Sequence, residues 1–225
     1  MRRSPLRKGM RTTAHVGSDI ARLLLEIQAV TLSPKEPYTW ASGVRSPIYC
    51  DCRRIVSFPD VRTPVEDAWA RLVRENWPGA QEIVGVATGG VPHAALVAER
   101  LGLPMAYIRG KPKDHGLGKR VEGVLPPQAR VVVIEDLVSS GGSLLDAVAA
   151  LKSEGAQILG ASAIFTYEFD VAREAFGQAN VPLRTLTTYS EVRDQAVQMG
   201  ILSSADVGVL EEGMRSIAAE LAARR

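Results

Sequence analysis

Residues 130–143 read RVVVIEDLVSSGGS, and this stretch decides the fold. The branched apolar residues from Val131 to Ile134 are typical of a buried strand, and the acids Glu135 and Asp136 follow them directly. A loop of small residues comes next, and an apolar pattern with helical spacing begins at Leu144. This order places backbone N–H groups at a helix N-terminus, where an anion is favoured. The stretch therefore predicts an anion site at the carboxyl end of a buried strand.

Strands and helices alternate through most of the chain. Ser18 and Asp60 are expected to cap the first two helices. Alternation of this kind implies an α/β fold, a doubly wound, mostly parallel sheet with helices on both faces. The other predicted strands cover residues 82–87, 104–108, 158–167 and 183–188. Of the other predicted helices, one ends at Leu101, and three cover residues 171–176, 190–199 and 204–223.

Residues 38–51 lie outside this alternation. Aromatic and β-branched residues flank a Ser-Gly turn there, which predicts a short hairpin outside the main sheet. We therefore expect a single domain over residues 18–225, with a small N-terminal hood at about 18–58. A basic flexible arm at residues 1–17 would precede it.

Charge is divided unevenly along the chain. Residues 1–16 hold five of the 27 basic residues and none of the 25 acidic ones, so the remainder carries a net negative charge. The body therefore lacks the basic surface of a nucleic-acid-binding domain. The arm could touch RNA or act as a transit peptide, but we expect a disordered tail, or an over-extended start with Met10 as the alternative first residue.

The expected compartment is the cytoplasm, with no membrane contact. No apolar run reaches the roughly 20 residues that span a bilayer. The two cysteines, Cys50 and Cys52, are expected to be reduced thiols. A metal site at this C-x-C would need further ligands that the chain does not obviously supply.

Three loops follow predicted strands, at 88–92, 109–123 and 135–143, and such loops gather at one edge of a doubly wound sheet. The first contains Gly-Gly, the second is rich in cations and glycine, and the third combines two acids with the anion loop. A matching ligand would carry two separated anionic groups with a diol between them. The three loops therefore suggest a phosphorylated sugar that also bears a diphosphate.

These residues carry a family resemblance. VVVIEDLVSSGGS resembles the phosphoribosyl diphosphate (PRPP) motif of type I phosphoribosyltransferases, and RGKPKDHG is similar to the mobile catalytic loop of orotate phosphoribosyltransferases. YTWASGVRSPIYCD resembles the hood of that family, and GVATGGVPHAA its diphosphate-side loop. Together the resemblance spans roughly residues 18–190. It implies the type I phosphoribosyltransferase fold and transfer of the phosphoribosyl group to orotate, in pyrimidine biosynthesis.

The resemblance also implies roles for individual residues. Arg109, Lys113 and His115 would be catalytic through the diphosphate of PRPP, with Lys111 as a further cation. Ser139 would also touch orotate. The loop would close over the partner subunit's site, which implies a homodimer, and Mg²⁺ would be held through PRPP oxygens with no direct protein ligand. The remaining PRPP contacts would come from Glu135, Asp136, Leu137, Val138, Ser139, Ser140, Gly141, Gly142 and Ser143.

The chain departs from the family pattern at three places, two on the diphosphate side and one on the side of the base. Gly110 and Gly89 stand where some members carry lysine, and no arginine follows the strand at 158–167 to bind the orotate carboxylate; Arg173 is the nearest. Transfer to a purine or another base is therefore a second hypothesis, and a non-enzymatic PRPP-sensing regulator is a third. His93, at a helix start, is expected to have a structural or capping role rather than a catalytic one.

Overall fold

The computed structural model describes residues 16–40, 43–110 and 120–223. The strands are β1 (Val30–Leu32), β2 (Tyr38–Thr39), β3 (Arg45–Ser46), β4 (Ile48–Cys50), β5 (Glu82–Val86), β6 (Met105–Ile108), β7 (Val121–Glu122), β8 (Arg130–Val138), β9 (Gln157–Thr166) and β10 (Leu183–Thr188). The helices are α1 (Val16–Glu26), α2 (Pro59–Asn76), α3 (Gly90–Leu101), α4 (Gly142–Ser153), α5 (Asp170–Gln178), α6 (Tyr189–Gln198) and α7 (Ser204–Ala223), with a 3-10 helix at Cys52–Ser57. No helix within these ranges has the length and apolarity needed to cross a membrane.

The central sheet has the strand order β10-β9-β8-β5-β6-β7. Its first five strands are parallel, and β7 pairs antiparallel with β6 at the edge. From β5 the chain moves outward to β6 on one side, and later places β8 on the other side of β5. The winding therefore reverses between β5 and β8, which opens a crevice at the carboxyl ends of these two strands. This topology confirms the predicted α/β class.

The side chains of β8 alternate between two buried layers. Val132 and Ile134 belong to the larger core, which also holds apolar side chains of α1, α2 and α3. Val131 and Val133 belong to the second core, with Leu144 of α4 and residues of α5. Because both faces of β8 are covered, its sequence is a continuous apolar run rather than an alternating one.

The hood consists of two short antiparallel pairs, β1 with β4 and β2 with β3. The β2–β3 pair confirms the predicted hairpin. The ring of Trp40, just after β2, lies 5.2 Å from the ring of Tyr167, which follows β9. This contact holds the hood against the carboxyl end of the sheet, where the crevice opens.

The first two helices begin differently from the prediction. Ser18 lies inside α1, which already includes Val16, and Val16 packs partly buried against the core. Asp60 is also not a cap. Phe58 occupies the N-cap of α2, and Pro59 takes the first helical position, where proline already has helical φ and needs no N–H partner.

Two predicted loop boundaries also shift. The loop expected at 88–92 is shorter, because α3 begins at Gly90. Both acids of the opening stretch lie within β8 rather than after it, since parallel pairing continues to Val138 opposite Thr166. The anion loop therefore starts at residue 139, and Leu137 and Val138 separate it from the acids.

Candidate active site

A cavity of about 420 Å³ occupies the crevice between β5 and β8. Three segments form its walls: the end of β4 with the 3-10 helix, the residues that follow β5, and the stretch from β8 into α4. Its lining residues are Cys50, Asp51, Arg53, Ala87, Thr88, Gly89, Glu135, Asp136, Leu137, Val138, Ser139, Ser140, Gly141, Gly142, Ser143 and Leu144. The structure thus brings every residue from Glu135 to Ser143 to one cavity, as the sequence predicted; their roles in ligand binding stay predictions.

A larger cavity of about 570 Å³ lies between α5 and the ends of β9 and β10. Its lining includes Phe169, Phe176 and Arg173, and it contains none of the predicted site residues. It also lies away from the reversal between β5 and β8, where doubly wound sheets bind ligands. Size alone therefore does not identify the site, and the smaller cavity is the candidate.

The loop at 139–143 has the geometry of an anion site. Gly141 has a φ of +83°, and a Cβ there would lie 2.8 Å from Cε2 of Phe176. Glycine is therefore required for both its backbone conformation and its packing. Gly141 is also the N-cap of α4, and no side chain caps the helix. The first-turn N–H groups of α4 consequently remain available to an anionic oxygen.

Two carboxylates form the floor of the cavity. Glu135 is only 7% exposed, and Ser143 Oγ donates a 3.4 Å hydrogen bond to its Oε2. Burial, and secondly the charge of Asp136, raise the pKa of Glu135 to about 8. A Cβ at Gly89 would lie 2.4 Å from Cγ of Asp136, so glycine at this position makes room for that carboxylate.

The raised pKa of Glu135 predicts a pH dependence of stability. From about pH 5 to about pH 8 the folded protein keeps a proton that the unfolded chain releases, so this carboxyl lowers stability as the pH rises, by at most about 1.4 kcal/mol per pH unit. Glu135→Gln removes the titration. In urea unfolding, the free energy of unfolding of the variant should increase relative to that of wild type as the pH rises across this range. Glu154→Gln, at an exposed carboxyl, is the control, and a constant difference for Glu135→Gln would contradict the assignment.

The hood wall was not predicted from sequence. Cys50 and Asp51 belong to the motif that predicted the hairpin, but only the fold shows that they line the cavity together with Arg53. Both cysteines are free and buried, with their Sγ atoms 3.5 Å apart. The one available signal was that Asp51 ends that motif and Arg53 follows two residues later.

The cationic loop is described only at its ends. Lys111, Lys113 and His115 lie outside the described residues. The Arg109 guanidinium lies 3.7 Å from Glu122 of β7, and Arg109 does not line the cavity of its own chain. The structure therefore does not bring Arg109 together with the anion loop within one subunit.

The described residues offer few metal ligands. In the ranges 16–40, 43–110 and 120–223, no group of three or more His, Cys, Asp and Glu side chains is placed to hold a metal ion. Glu135 and Asp136 are adjacent carboxylates in the cavity. Such a pair would attract a cation that keeps water and substrate oxygens as its ligands.

Comparison with known proteins agrees with this geometry. Residues 64–181 match the model of the phosphoribosyl transferase domain. An orotate phosphoribosyltransferase of Streptococcus sanguinis is 48% identical over 197 residues, which cover 88% of this chain and 94% of the relative. The chain belongs to the orotate phosphoribosyltransferase family. The family member from Bacillus subtilis is 49% identical over 197 residues, with 88% of this chain and 91% of the relative covered.

Solved structures place the fold in the same family. The orotate phosphoribosyltransferase from Aeropyrum pernix has a TM-score of 0.69 and 28% identity, and the match covers 82% of this chain and 99% of that chain. Leishmania donovani UMP synthase has a TM-score of 0.74 at 22% identity and covers 91% of this chain and 42% of that one; this match shows the shared fold. The predicted type I phosphoribosyltransferase fold is confirmed.

Proposed function

We propose that this chain transfers the phosphoribosyl group of PRPP to orotate, forming orotidine 5′-monophosphate and diphosphate in pyrimidine biosynthesis. One observation carries the proposal. Every residue of the motif from Glu135 to Ser143 lines a single cavity at the reversal of the sheet, in a chain 48% identical to an orotate phosphoribosyltransferase over most of its length.

Two parts of PRPP, the 5-phosphate and the ribose, would match walls of this cavity. The loop at 139–143 would hold the 5-phosphate through backbone N–H groups and serine hydroxyls. Glu135 and Asp136 would accept hydrogen bonds from the ribose hydroxyls, as acids at strand ends do in nucleotide-binding folds. Ser139, at the start of the loop, would also touch the orotate ring.

The chemistry requires no side-chain nucleophile. The bond between the anomeric carbon and the diphosphate breaks, and a ring nitrogen of orotate forms the new bond to that carbon. Positive charge develops on the sugar, as in glycoside hydrolysis, and the nearby carboxylate of Asp136 would stabilise it. Arg109, Lys113 and His115, with Lys111, would stabilise the negative charge of the departing diphosphate.

Mg²⁺ fits this site as a cation carried by the substrate. It would supply positive charge at the diphosphate oxygens when bound. The acidic residues Glu135 and Asp136 would attract the ion to the cavity, and the ion would keep water and substrate oxygens as its ligands. We place no protein side chain in its direct coordination.

The active form would be a homodimer in which each cationic loop completes the partner's site. This proposal is supported by the position of Arg109, whose guanidinium lies beside Glu122 and away from its own cavity. Loop closure from the partner would also exclude water, which otherwise hydrolyses PRPP. We assign the enzyme to the cytoplasm, with its two thiols reduced.

A mixing experiment tests the shared site. Lys113→Ala and Asp136→Asn should each be nearly inactive, but their unfolded-and-refolded mixture should recover about a quarter of wild-type activity, because half of the dimers then hold one intact site. The measurement is turnover of orotate after mixing, with each variant refolded alone as the control. A mixture no more active than the variants would contradict the shared loop.

A substrate assay tests the reaction itself. The protein is mixed with PRPP, Mg²⁺ and one base at a time, and the loss of orotate absorbance is followed beside adenine, guanine and xanthine. We expect turnover with orotate. Consumption of a purine base but not of orotate would overturn the proposal, and so would specific binding of DNA or RNA by the body without any turnover, as a PRPP-sensing regulator would show.

A further inference from the structure

We infer that Arg53 is a specificity-determining residue that binds the carboxylate of orotate. The inference rests on the proposed function and adds a residue on the base side of the site. It starts from the charges of the cavity. Among the described residues of its lining, three are acidic, Asp51, Glu135 and Asp136, and Arg53 is the only arginine or lysine.

In the proposed function, the other anionic groups of the two substrates are already assigned partners. The 5-phosphate matches the backbone N–H groups at the start of α4, and the diphosphate matches the cationic loop. The remaining anion is the carboxylate on the ring of orotate. Arg53 is the cationic group of the lining that remains to balance this charge.

The position of Arg53 suits the base end of the substrate. It lies in the first turn of the 3-10 helix that follows β4, on a wall separate from the anion loop. Its guanidinium is close enough to Asp136 for the two charges to interact. If the ribose hydroxyls lie on Asp136, a base at the anomeric carbon extends toward the hood, within reach of Arg53.

The guanidinium is also held in a suitable orientation. Its Nε donates a 2.6 Å hydrogen bond to Asp51 Oδ1, and Asp51 also accepts from the backbone N–H of Arg53. In the described part of the chain, the two Nη groups make no hydrogen bond to a protein acceptor. The side chain is 60% exposed, so this free edge is open to a carboxylate in the bidentate geometry that arginine favours.

The other arginine near the strand end lies at a different cavity. Arg173 pairs with Asp170 on α5, 2.9 Å away, and it lines the larger cavity instead. Arg54, next to Arg53, directs its Nε to the carbonyl of Ile27 and is not part of the lining. Arg54→Gln is therefore a matched control for Arg53→Gln.

The test compares two nucleotides that differ by one carboxylate. Calorimetry measures binding of orotidine 5′-monophosphate and of uridine 5′-monophosphate to the full-length wild type, Arg53→Gln and Arg54→Gln. We expect Arg53→Gln to weaken the binding of orotidine 5′-monophosphate about ten- to a hundredfold, which is the effect of losing a charged hydrogen-bond pair. The affinity for uridine 5′-monophosphate should change by less than about threefold. Arg54→Gln should keep the wild-type ratio of the two affinities.

Steady-state kinetics distinguish a contact of Arg53 with the carboxylate of orotate from a contact with the diphosphate of PRPP. Arg53→Gln should raise KM for orotate while KM for PRPP stays near that of wild type. A rise confined to PRPP would overturn the inference in favour of a diphosphate contact. Equal weakening of the binding of both nucleotides would overturn the inference in favour of a purely structural Asp51–Arg53 pair. An Arg53→Gln variant with the wild-type ratio of the two affinities would also overturn it.

The outcomes for the two proposals are distinguishable. If the wild type does not convert orotate, the proposed function itself fails. If the wild type is active and prefers orotidine 5′-monophosphate but Arg53→Gln keeps that preference, only the assignment of Arg53 fails. Arg53→Lys adds a further readout, since a retained charge without the planar fork should restore part of the preference.

Discussion

Asp136→Asn should lower kcat/KM by about a hundred- to a thousandfold, the scale seen when one preorganised group that stabilises transition-state charge is removed. Asp136 lies in the cavity floor beside Glu135. The substitution keeps the shape of the side chain and removes its charge. The sugar would then lose the carboxylate that stabilises its developing positive charge, while phosphate binding by the anion loop would persist.

Turnover of orotate and PRPP measures this effect, and circular dichroism checks the fold. Asp194→Asn is the matched control, because Asp194 pairs with Arg193 on α6 and does not line the cavity. An Asp136→Asn enzyme with near-normal kcat/KM would contradict the role of this carboxylate. The same variant should also lower the pKa of Glu135, since the charge of Asp136 is the second cause of its rise.

Glu66→Ala should lower the free energy of unfolding by about 3–5 kcal/mol, the usual effect of removing one partner of a buried pair. Glu66 of α2 and His93 of α3 are both 0% exposed, with His93 Nδ1 and Glu66 Oε1 2.5 Å apart. Burial raises the pKa of Glu66, and the hydrogen bond to His93 opposes this rise. The truncation would leave the His93 ring without its buried partner.

Urea unfolding measures the loss. Asp67→Ala is the matched control, because the neighbouring Asp67 pairs with Arg100 at 2.6 Å but is half exposed, and such a pair contributes at most about 1 kcal/mol. Glu66→Gln keeps an acceptor for His93, so its loss in the free energy of unfolding should fall between those of Glu66→Ala and Asp67→Ala. Equal losses for Glu66→Ala and Asp67→Ala would contradict the structural role of the buried pair.

The local patterns predicted much of the fold because they act over a few residues. A short continuous run of branched apolar residues favours a strand covered on both faces, and both faces of β8 are buried. The errors lie at element boundaries, where tertiary contacts compete with local signals. Asp60 lost the N-cap of α2 to Phe58 because Pro59 takes the first helical position, and β8 continued past both acids because β9 still pairs with it.

Histidine 93 shows the limit of sequence reasoning about roles. Its place at a helix start predicted a structural residue, and its full burial against Glu66 confirms this. Its partner lies 27 residues earlier, and no pattern in the sequence links the two. Packing of α2 on α3 makes the pair, so only the folded chain shows that two polar groups lie in one apolar layer.

By itself the stretch at 130–143 determined the strand, the adjacent acids and the loop that exposes N–H groups at a helix start, because each depends on neighbouring residues. Tertiary structure decided what faces this stretch across the cavity. The hood brings Asp51 and Arg53 to it from about 80 residues earlier in the chain. Gly89, which follows β5, leaves room for Asp136 because a Cβ there would overlap its carboxylate. Distances between segments that are remote in the chain depend on how the sheet winds and packs, so the anion loop was predictable from sequence and the hood wall of the cavity was not.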